Sequence, residues 1–193
     1  MVMDNHLTVE EFTHRKPELP DGGRWHELHE GLPVMMEPPD DHHGNAVLNL
    51  SRALAEWFQA REEQAVGYAC HEIGLTVSRD PDTVYFPAIS FFDSGRQFEQ
   101  SDNTIATVVP SMVVELASAN DRRREMRIRT LAYMHLGVRS VWVADTMKKE
   151  VQIIGKGSHT LALAGQQKVQ CSDVLPGFEI SVADVFQQPE WWK

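Results

Sequence analysis

The segment from Met112 to Asp145 constrains the fold most, because it predicts a strand, a helix and a second strand in succession. Met112–Ala117 is apolar except at one position, and Ser140–Ala144 is a second run of the same kind. The helix between them covers 122–136 and ends at Gly137, the residue type that most often follows a helix. Strands joined by such a helix are usually parallel neighbours, so we expect that arrangement here.

Two charged residues of this segment lie where apolar residues are expected. Glu115 is in the middle of the first strand, and a buried carboxylate costs several kcal/mol unless a partner compensates it. Arg129 lies at the centre of the helix face that otherwise carries Met126, Ala132, Tyr133 and Leu136. Both charges could therefore point into one cleft. The alternatives are a purely structural ion pair, or an arginine that extends to water.

Size and charge limit the classes of function. The chain has 193 residues and is 42% hydrophobic, which predicts a single folded domain over 1–193. A net charge of −10 argues against tight nucleic-acid binding by the whole surface. A local basic site is still compatible with it, although a solvated helix face explains the same arginines. These are Arg122, Arg123, Arg124, Arg127 and Arg129.

The cysteines and the hydropathy pattern predict a cytoplasmic protein. Cys70 and Cys171 form neither a disulfide framework nor a Cys-x-x-Cys motif, so we expect reduced thiols. The first residues lack an apolar signal-peptide core, and no apolar run reaches the roughly 18 residues of a membrane span. We therefore expect a soluble protein without a membrane partner.

The remaining periodicity predicts an α+β fold. We expect a central mixed sheet containing Thr83–Phe92 and both strands of the 112–145 segment, flanked by helices, with a hairpin as an N-terminal extension. Other predicted elements are the hairpin over Trp25–Met36, a helix over His42–Arg61, a strand region over Ala65–Val77 and a hairpin strand over Glu150–Ile154.

Candidate chemistry rests on carboxylates rather than on the histidines. The nine histidines form no His-Glu-x-x-His motif, and no glycine-rich phosphate loop is present, so we expect no zinc site. Glu27, on the first hairpin, joins Glu115 and Arg129 as a third candidate. Two carboxylates and a cation around a cleft are typical of a Mg²⁺-dependent phosphodiesterase, in which the cation balances the developing charge.

The sequence resembles the Uma family of restriction-endonuclease-like proteins, a bacterial family within the PD-(D/E)XK nuclease superfamily. The resemblance covers almost the whole chain and implies a restriction-endonuclease-like fold and Mg²⁺-dependent hydrolysis of DNA. It is carried by six segments in order: Leu7–Phe12, His26–Pro39, His43–Leu54, Ser78–Phe92, Met112–Asp145 and Leu175–Phe186.

The resemblance assigns four functional positions, two of which depart from the family pattern. The acidic residue of the first hairpin corresponds to Glu27, and the glutamate of the Glu-x-x-Ser strand corresponds to Glu115, followed by Ser118. The family's metal-binding aspartate corresponds to Ala88, and its catalytic lysine to Arg129. The implied catalytic residues are thus Glu27, Glu115 and Arg129, with Glu115 as the remaining metal ligand.

Both departures weaken the implied chemistry. Ala88 offers no oxygen, Asp93 should face the other side of the strand, and Asp82 lies in a turn. The guanidinium of Arg129 keeps the positive charge but cannot act as a base. We expect metal-dependent cleavage to be weak or absent. The alternative is a binding or assembly module that keeps the nuclease fold.

Apolar surfaces in this acidic chain predict self-association. The Trp191–Trp192 pair and the strand Val151–Ile154, interpreted as a sheet edge, are the candidates for a homodimer contact.

Overall fold

A six-stranded mixed sheet forms the centre of the protein, and a smaller four-stranded sheet lies beside it. The computed structural model describes residues 6–61, 67–96, 98–118, 120–155 and 160–192, and the side chains of α3 from Arg123 onward. The helices are α1 (Val9–Arg15), α2 (Asp41–Gln59), α3 (Asn120–Leu136) and α4 (Val182–Val185). The strands are β1 (His26–His29), β2 (Leu32–Met35), β3 (Tyr68–His71), β4 (Leu75–Ser78), β5 (Thr83–Tyr85), β6 (Ile89–Phe92), β7 (Met112–Leu116), β8 (Ser140–Asp145), β9 (Glu150–Gly155), β10 (Leu161–Ala164), β11 (Lys168–Cys171) and β12 (Leu175–Ser181).

The central sheet has the order β10-β9-β8-β7-β6-β3. Strands β7 and β8 pair in parallel, with Met112 opposite Ser140, and α3 connects them. The other neighbouring pairs of this sheet are antiparallel. The predicted α+β fold with a central mixed sheet and a parallel crossover is therefore confirmed.

The two long helices cover opposite faces of this sheet, as the alternation of side chains along β7 requires. Val114 and Leu116 belong to the core cluster that contains Leu50 and Leu54 of α2. Val113 belongs instead to the cluster with Tyr133 of α3. Glu115 has the parity of Val113 and therefore faces α3.

The smaller sheet has the order β2-β1-β5-β4 and corrects two predicted strands. Thr83–Phe92 is not one strand, because β5 belongs to the smaller sheet and β6 to the central one. Pro87 lies between them and has no N–H to donate to a ladder. The predicted strand over Ala65–Val77 divides in the same way into β3 and β4, and residues 62–66 lie outside the described part. The turn between them includes Glu72, with a φ of 51°.

Side-chain caps fix where the helices begin. Thr8 and Glu11 form a capping box at α1, and Asp40 accepts a hydrogen bond of 2.7 Å from the N–H of His43 at the start of α2. Gly137 follows α3 with a φ of 106°, which glycine adopts without strain. The candidate caps of α3 lie outside the described side chains.

The surfaces proposed for self-association differ from the prediction in one respect. Trp191 is 79% exposed, but β9 lies between β8 and β10 and is therefore not an edge. The homodimer stays a prediction.

Cys70 and Cys171 are free thiols. No helix among the described residues combines the length and the apolar character that crossing a bilayer requires.

Candidate functional site

The three predicted site residues come together although they lie on three different elements. Glu27 is on β1 of the smaller sheet, Glu115 is on β7 of the central sheet, and Arg129 is on α3. Strand β1 is held by β5, where Leu28 lies opposite Val84. Because α3 covers the face of β7 that carries Glu115, Arg129 lies between the two sheets and reaches both carboxylates.

Arg129 forms a bidentate ion pair with Glu27. Its Nη1 donates to Glu27 Oε2 at 2.6 Å, and its Nη2 donates to Glu27 Oε1 at 3.0 Å. The same carboxylate accepts a hydrogen bond of 3.0 Å from the backbone N–H of Phe86 and lies 3.0 Å from Nε2 of His29. Parallel hydrogen bonds of this kind are among the strongest that a carboxylate makes in a protein.

Arg129 also contacts Glu115, through the other edge of its guanidinium. Its Nε donates to Glu115 Oε1 at 2.9 Å, and its Nη2 lies 2.8 Å from the same oxygen. The hydroxyl of Tyr133, one helical turn later, donates to that oxygen at 2.6 Å. The ring of Tyr85 lies 4.3 Å below the guanidinium carbon, a cation–π contact.

The cluster is sealed from water. Arg129 and Glu115 are 0% exposed and Glu27 is 2% exposed. Burial alone would lower the pKa of Arg129, but the charges of Glu115 and Glu27 and the hydroxyl of Tyr133 hold it well above its ordinary value. Burial raises the pKa of the Tyr133 hydroxyl well above its usual range. Arg129 is therefore a permanent cation, which cannot accept a proton from an attacking water.

Ala88 corresponds to the family's aspartate and lies immediately before β6. Strands β6 and β7 pair with Ile89 opposite Val114. Ala88 is buried and belongs to the core cluster that contains Leu50 and Leu54 of α2. A methyl group therefore occupies the position at which the family pattern has a carboxylate.

The nearest aspartates do not replace the missing one. Asp82 accepts a hydrogen bond of 2.7 Å from the N–H of Val9 and one of 2.9 Å from Arg79. Asp93 bonds to Ser111 and to Arg139. Both carboxylates are therefore engaged in other contacts, and neither bonds to a residue of the buried cluster.

A divalent cation does not fit this arrangement. Mg²⁺ takes several oxygen ligands at fixed angles, whereas both oxygens of Glu27 and Oε1 of Glu115 already accept hydrogen bonds from Arg129. The described residues contain no group of three or more His, Cys, Asp or Glu side chains that could hold a metal ion. The guanidinium supplies, inside the protein, the positive charge that the two carboxylates need.

The prediction of a cleft lined by the three residues is wrong in one respect, because the cluster is enclosed. Ala88 lines a neighbouring cavity, together with Lys16 and His43. His43 lies in the first turn of α2, and its Nδ1 lies 2.9 Å from the hydroxyl of Ser118. This contact links the Glu-x-x-Ser segment to the cavity.

Sequence reasoning missed two of the residues that matter here. The helical pattern assigns Tyr133 only to an apolar face, although its spacing of four residues from Arg129 places the two on adjacent turns. Lys16 lies in a turn-rich stretch that has no distinguishing pattern.

The predicted basic cluster on α3 does not form a single surface. Arg123 bonds to Asp145 and donates to the carbonyl of Ala117 at 2.7 Å, and Arg129 is buried. Arg127 is exposed, and the side chain of Arg122 lies outside the described part.

Comparison with known proteins agrees with this fold. A crystal structure from Anabaena variabilis, described as "a putative nuclease belonging to DUF820", has a TM-score of 0.74 and 19% sequence identity, covering 93% of this chain and 97% of that chain. No curated protein matches. The Uma2 family, described as "Putative restriction endonuclease", matches residues 9–183. The chain therefore belongs to the Uma2 family of nuclease-like proteins.

Proposed function

We propose that this chain is a single-domain, nuclease-fold protein in which metal-dependent cleavage of DNA is lost or strongly weakened. The observation that carries the proposal is the contact of Arg129 with both Glu27 and Glu115. In a metal-dependent nuclease those carboxylates would face a cation and a phosphate. Here their charge is already compensated by a side chain that cannot leave the protein.

The substitution at Ala88 acts in the same direction. The family pattern has a carboxylate at this position, and Mg²⁺ gives up its water ligands reluctantly without anionic ligands. A deficit of about 4 kcal/mol in transition-state stabilisation slows a reaction roughly a thousandfold. We therefore expect turnover to be at or below the background of a nicking assay, with Mg²⁺ or with Mn²⁺.

The burial of the cluster supports the second candidate function, a binding module, over slow catalysis. A reacting phosphate has to touch the groups that act on it, but Arg129 and Glu115 are fully enclosed. Association with DNA as a partner remains compatible with this arrangement, because binding requires only surface groups. A homodimer is compatible with it as well.

The experiment is a supercoiled-plasmid nicking assay with the native chain and Glu115→Ala, each in Mg²⁺ and in Mn²⁺. The proposal predicts no nicking above a buffer control by either protein. Nicking by the native chain that disappears in Glu115→Ala would overturn it and identify a working nuclease. Nicking that survives in Glu115→Ala would point to a contaminant or to another site.

A further inference from the structure

The cavity beside Ala88 carries an unusual set of charges. It has a volume of about 450 Å³. Its wall includes Lys16, Arg24, His43, His71 and Glu72 as well as Ala88. In a chain with a net charge of −10, two full cations around one cavity, against a single rim carboxylate, are a local reversal of sign.

Lys16 is the most informative of these residues, because it is a buried cation. It is only 9% exposed, and its Nζ donates to the carbonyl oxygens of Gly23 and His26 and lies 4.7 Å from the ring centre of Phe86. In the described part of the chain it forms no ion pair with a carboxylate. Buried charges are normally paired, so a counter-anion from outside would complete this site.

Charges at longer range do not replace such a partner. Burial lowers the pKa of Lys16, and the carboxylates of Glu27 and Glu72 oppose that effect. Glu27 is already bonded to Arg129, so its charge is largely compensated. Glu72 lies at the solvent-exposed rim.

The loop that carries Lys16 is built around its side chain. Gly23 has a φ of 69°, and a Cβ at this position would lie 2.1 Å from the carbonyl oxygen of Lys16, so only glycine fits. Arg24 follows immediately, and its guanidinium lies 4.7 Å from the ring centre of Trp25. The described residues give Arg24 no carboxylate partner either. The loop therefore presents two cations to the same cavity.

We propose that this cavity binds a phosphate group, with Lys16 and Arg24 as its cationic contacts. Phosphate suits them because its several oxygens can accept from an ammonium and a guanidinium at once. The volume is that of a small-molecule site and exceeds what a lone ion fills. The phosphate can come from a free mononucleotide or from the end of a DNA strand. The inference goes beyond the proposed function, because it holds whether or not the chain cleaves DNA.

The test is fluorescence anisotropy of a short oligothymidylate labelled at its 3′ end, with and without a 5′ phosphate. EDTA is present throughout, so that metal-dependent chemistry does not contribute and failure here is distinct from failure of the nicking prediction. Inorganic phosphate and thymidine monophosphate serve as competitors. The variants are Arg24→Ala at the cavity and Arg52→Ala, an exposed arginine of α2 outside the cavity wall, as the matched control.

The proposal predicts that binding of the oligonucleotide depends on its 5′ phosphate. Binding should weaken roughly tenfold or more in Arg24→Ala, because one charge-assisted contact is lost. It should be unchanged in Arg52→Ala. Equal competition by thymidine monophosphate assigns the free nucleotide, and much weaker competition assigns the strand end. Absence of binding by every probe, binding indifferent to the 5′ phosphate, or equal loss in both variants would overturn the proposal. Lys16→Gln, compared at equal folded fraction by circular dichroism, should weaken binding like Arg24→Ala. Unchanged affinity in this variant would overturn the proposed contact between Lys16 and the phosphate.

Discussion

Arg129 holds the carboxylate of Glu27 through two hydrogen bonds, of 2.6 and 3.0 Å, across 102 positions of sequence. The contact joins α3 to the smaller sheet, while Nε of the same side chain bonds to Glu115 of the central sheet. One guanidinium thus links three elements. Its removal would leave two buried carboxylates facing each other.

Arg129→Met should therefore destabilise the protein strongly. Breaking a buried ion pair by removing one partner costs about 3–5 kcal/mol, because the remaining charge stays buried without compensation. The measurement is urea unfolding followed by circular dichroism. Arg127→Met removes an exposed arginine of the same helix and should change the free energy of unfolding by less than about 0.5 kcal/mol. Similar small losses in both variants would contradict the structural role of Arg129.

Tyr133→Phe tests the second donor to Glu115. The variant keeps the buried ring and removes only the hydroxyl that lies 2.6 Å from Glu115 Oε1, so we expect a loss of about 1–3 kcal/mol. Tyr85→Phe is the control, because the ring of Tyr85 contacts Arg129 through its face and this contact survives the change. Unfolding curves that rank Tyr85→Phe as the more damaging variant would argue against the assigned hydrogen bond.

His26 should make the protein less stable in mild acid. Burial, followed by the charge of Lys16, lowers the pKa of His26, and Asp21 only partly opposes this. In the unfolded chain the imidazole takes up a proton near its ordinary pKa of about 6.5. The unfolded state then binds more protons than the folded state, so stability falls as the pH drops through this value towards the lower folded pKa.

The measurement for His26 is the free energy of unfolding at several pH values from neutral to mildly acidic. His26→Gln should flatten the slope on the acid side, whatever its effect at neutral pH. His14→Gln, an exposed histidine at the end of α1, should leave the slope as it is in the native chain. An unchanged slope in His26→Gln would show that another group causes the acid sensitivity.

The sequence predicted the core of the site because charge on an apolar face is a rare signal. Glu115 and Arg129 each stood out in this way, and the element between them placed both on one side of the sheet. Glu27 has no such local signal. Its position depends on the pairing of β1 with β5, which brings distant segments together, so the sequence offers it only as a carboxylate of the first hairpin and as the acidic position that the family resemblance implies.

Other features depend on tertiary packing that no local pattern reports. The apolar run Thr83–Phe92 looks continuous, but the proline at position 87 lets the chain pass from one sheet to the other. In the sequence Lys16 is an ordinary turn residue, and only the folded loop turns its side chain inward. Enclosure of the site likewise follows from the packing of Tyr85 and Tyr133 around Arg129.

The most direct test of the central claim is Mn²⁺ binding at Glu115, measured by anomalous diffraction from soaked crystals of the native chain and of the double variant Ala88→Asp with Arg129→Lys. The variant restores the family's carboxylate at position 88 and replaces the bidentate guanidinium with a point charge. We predict no Mn²⁺ peak at Glu115 in the native chain and a peak at Glu115 in the variant. A peak at Glu115 in the native chain, with Arg129 displaced from Glu27, would contradict the account.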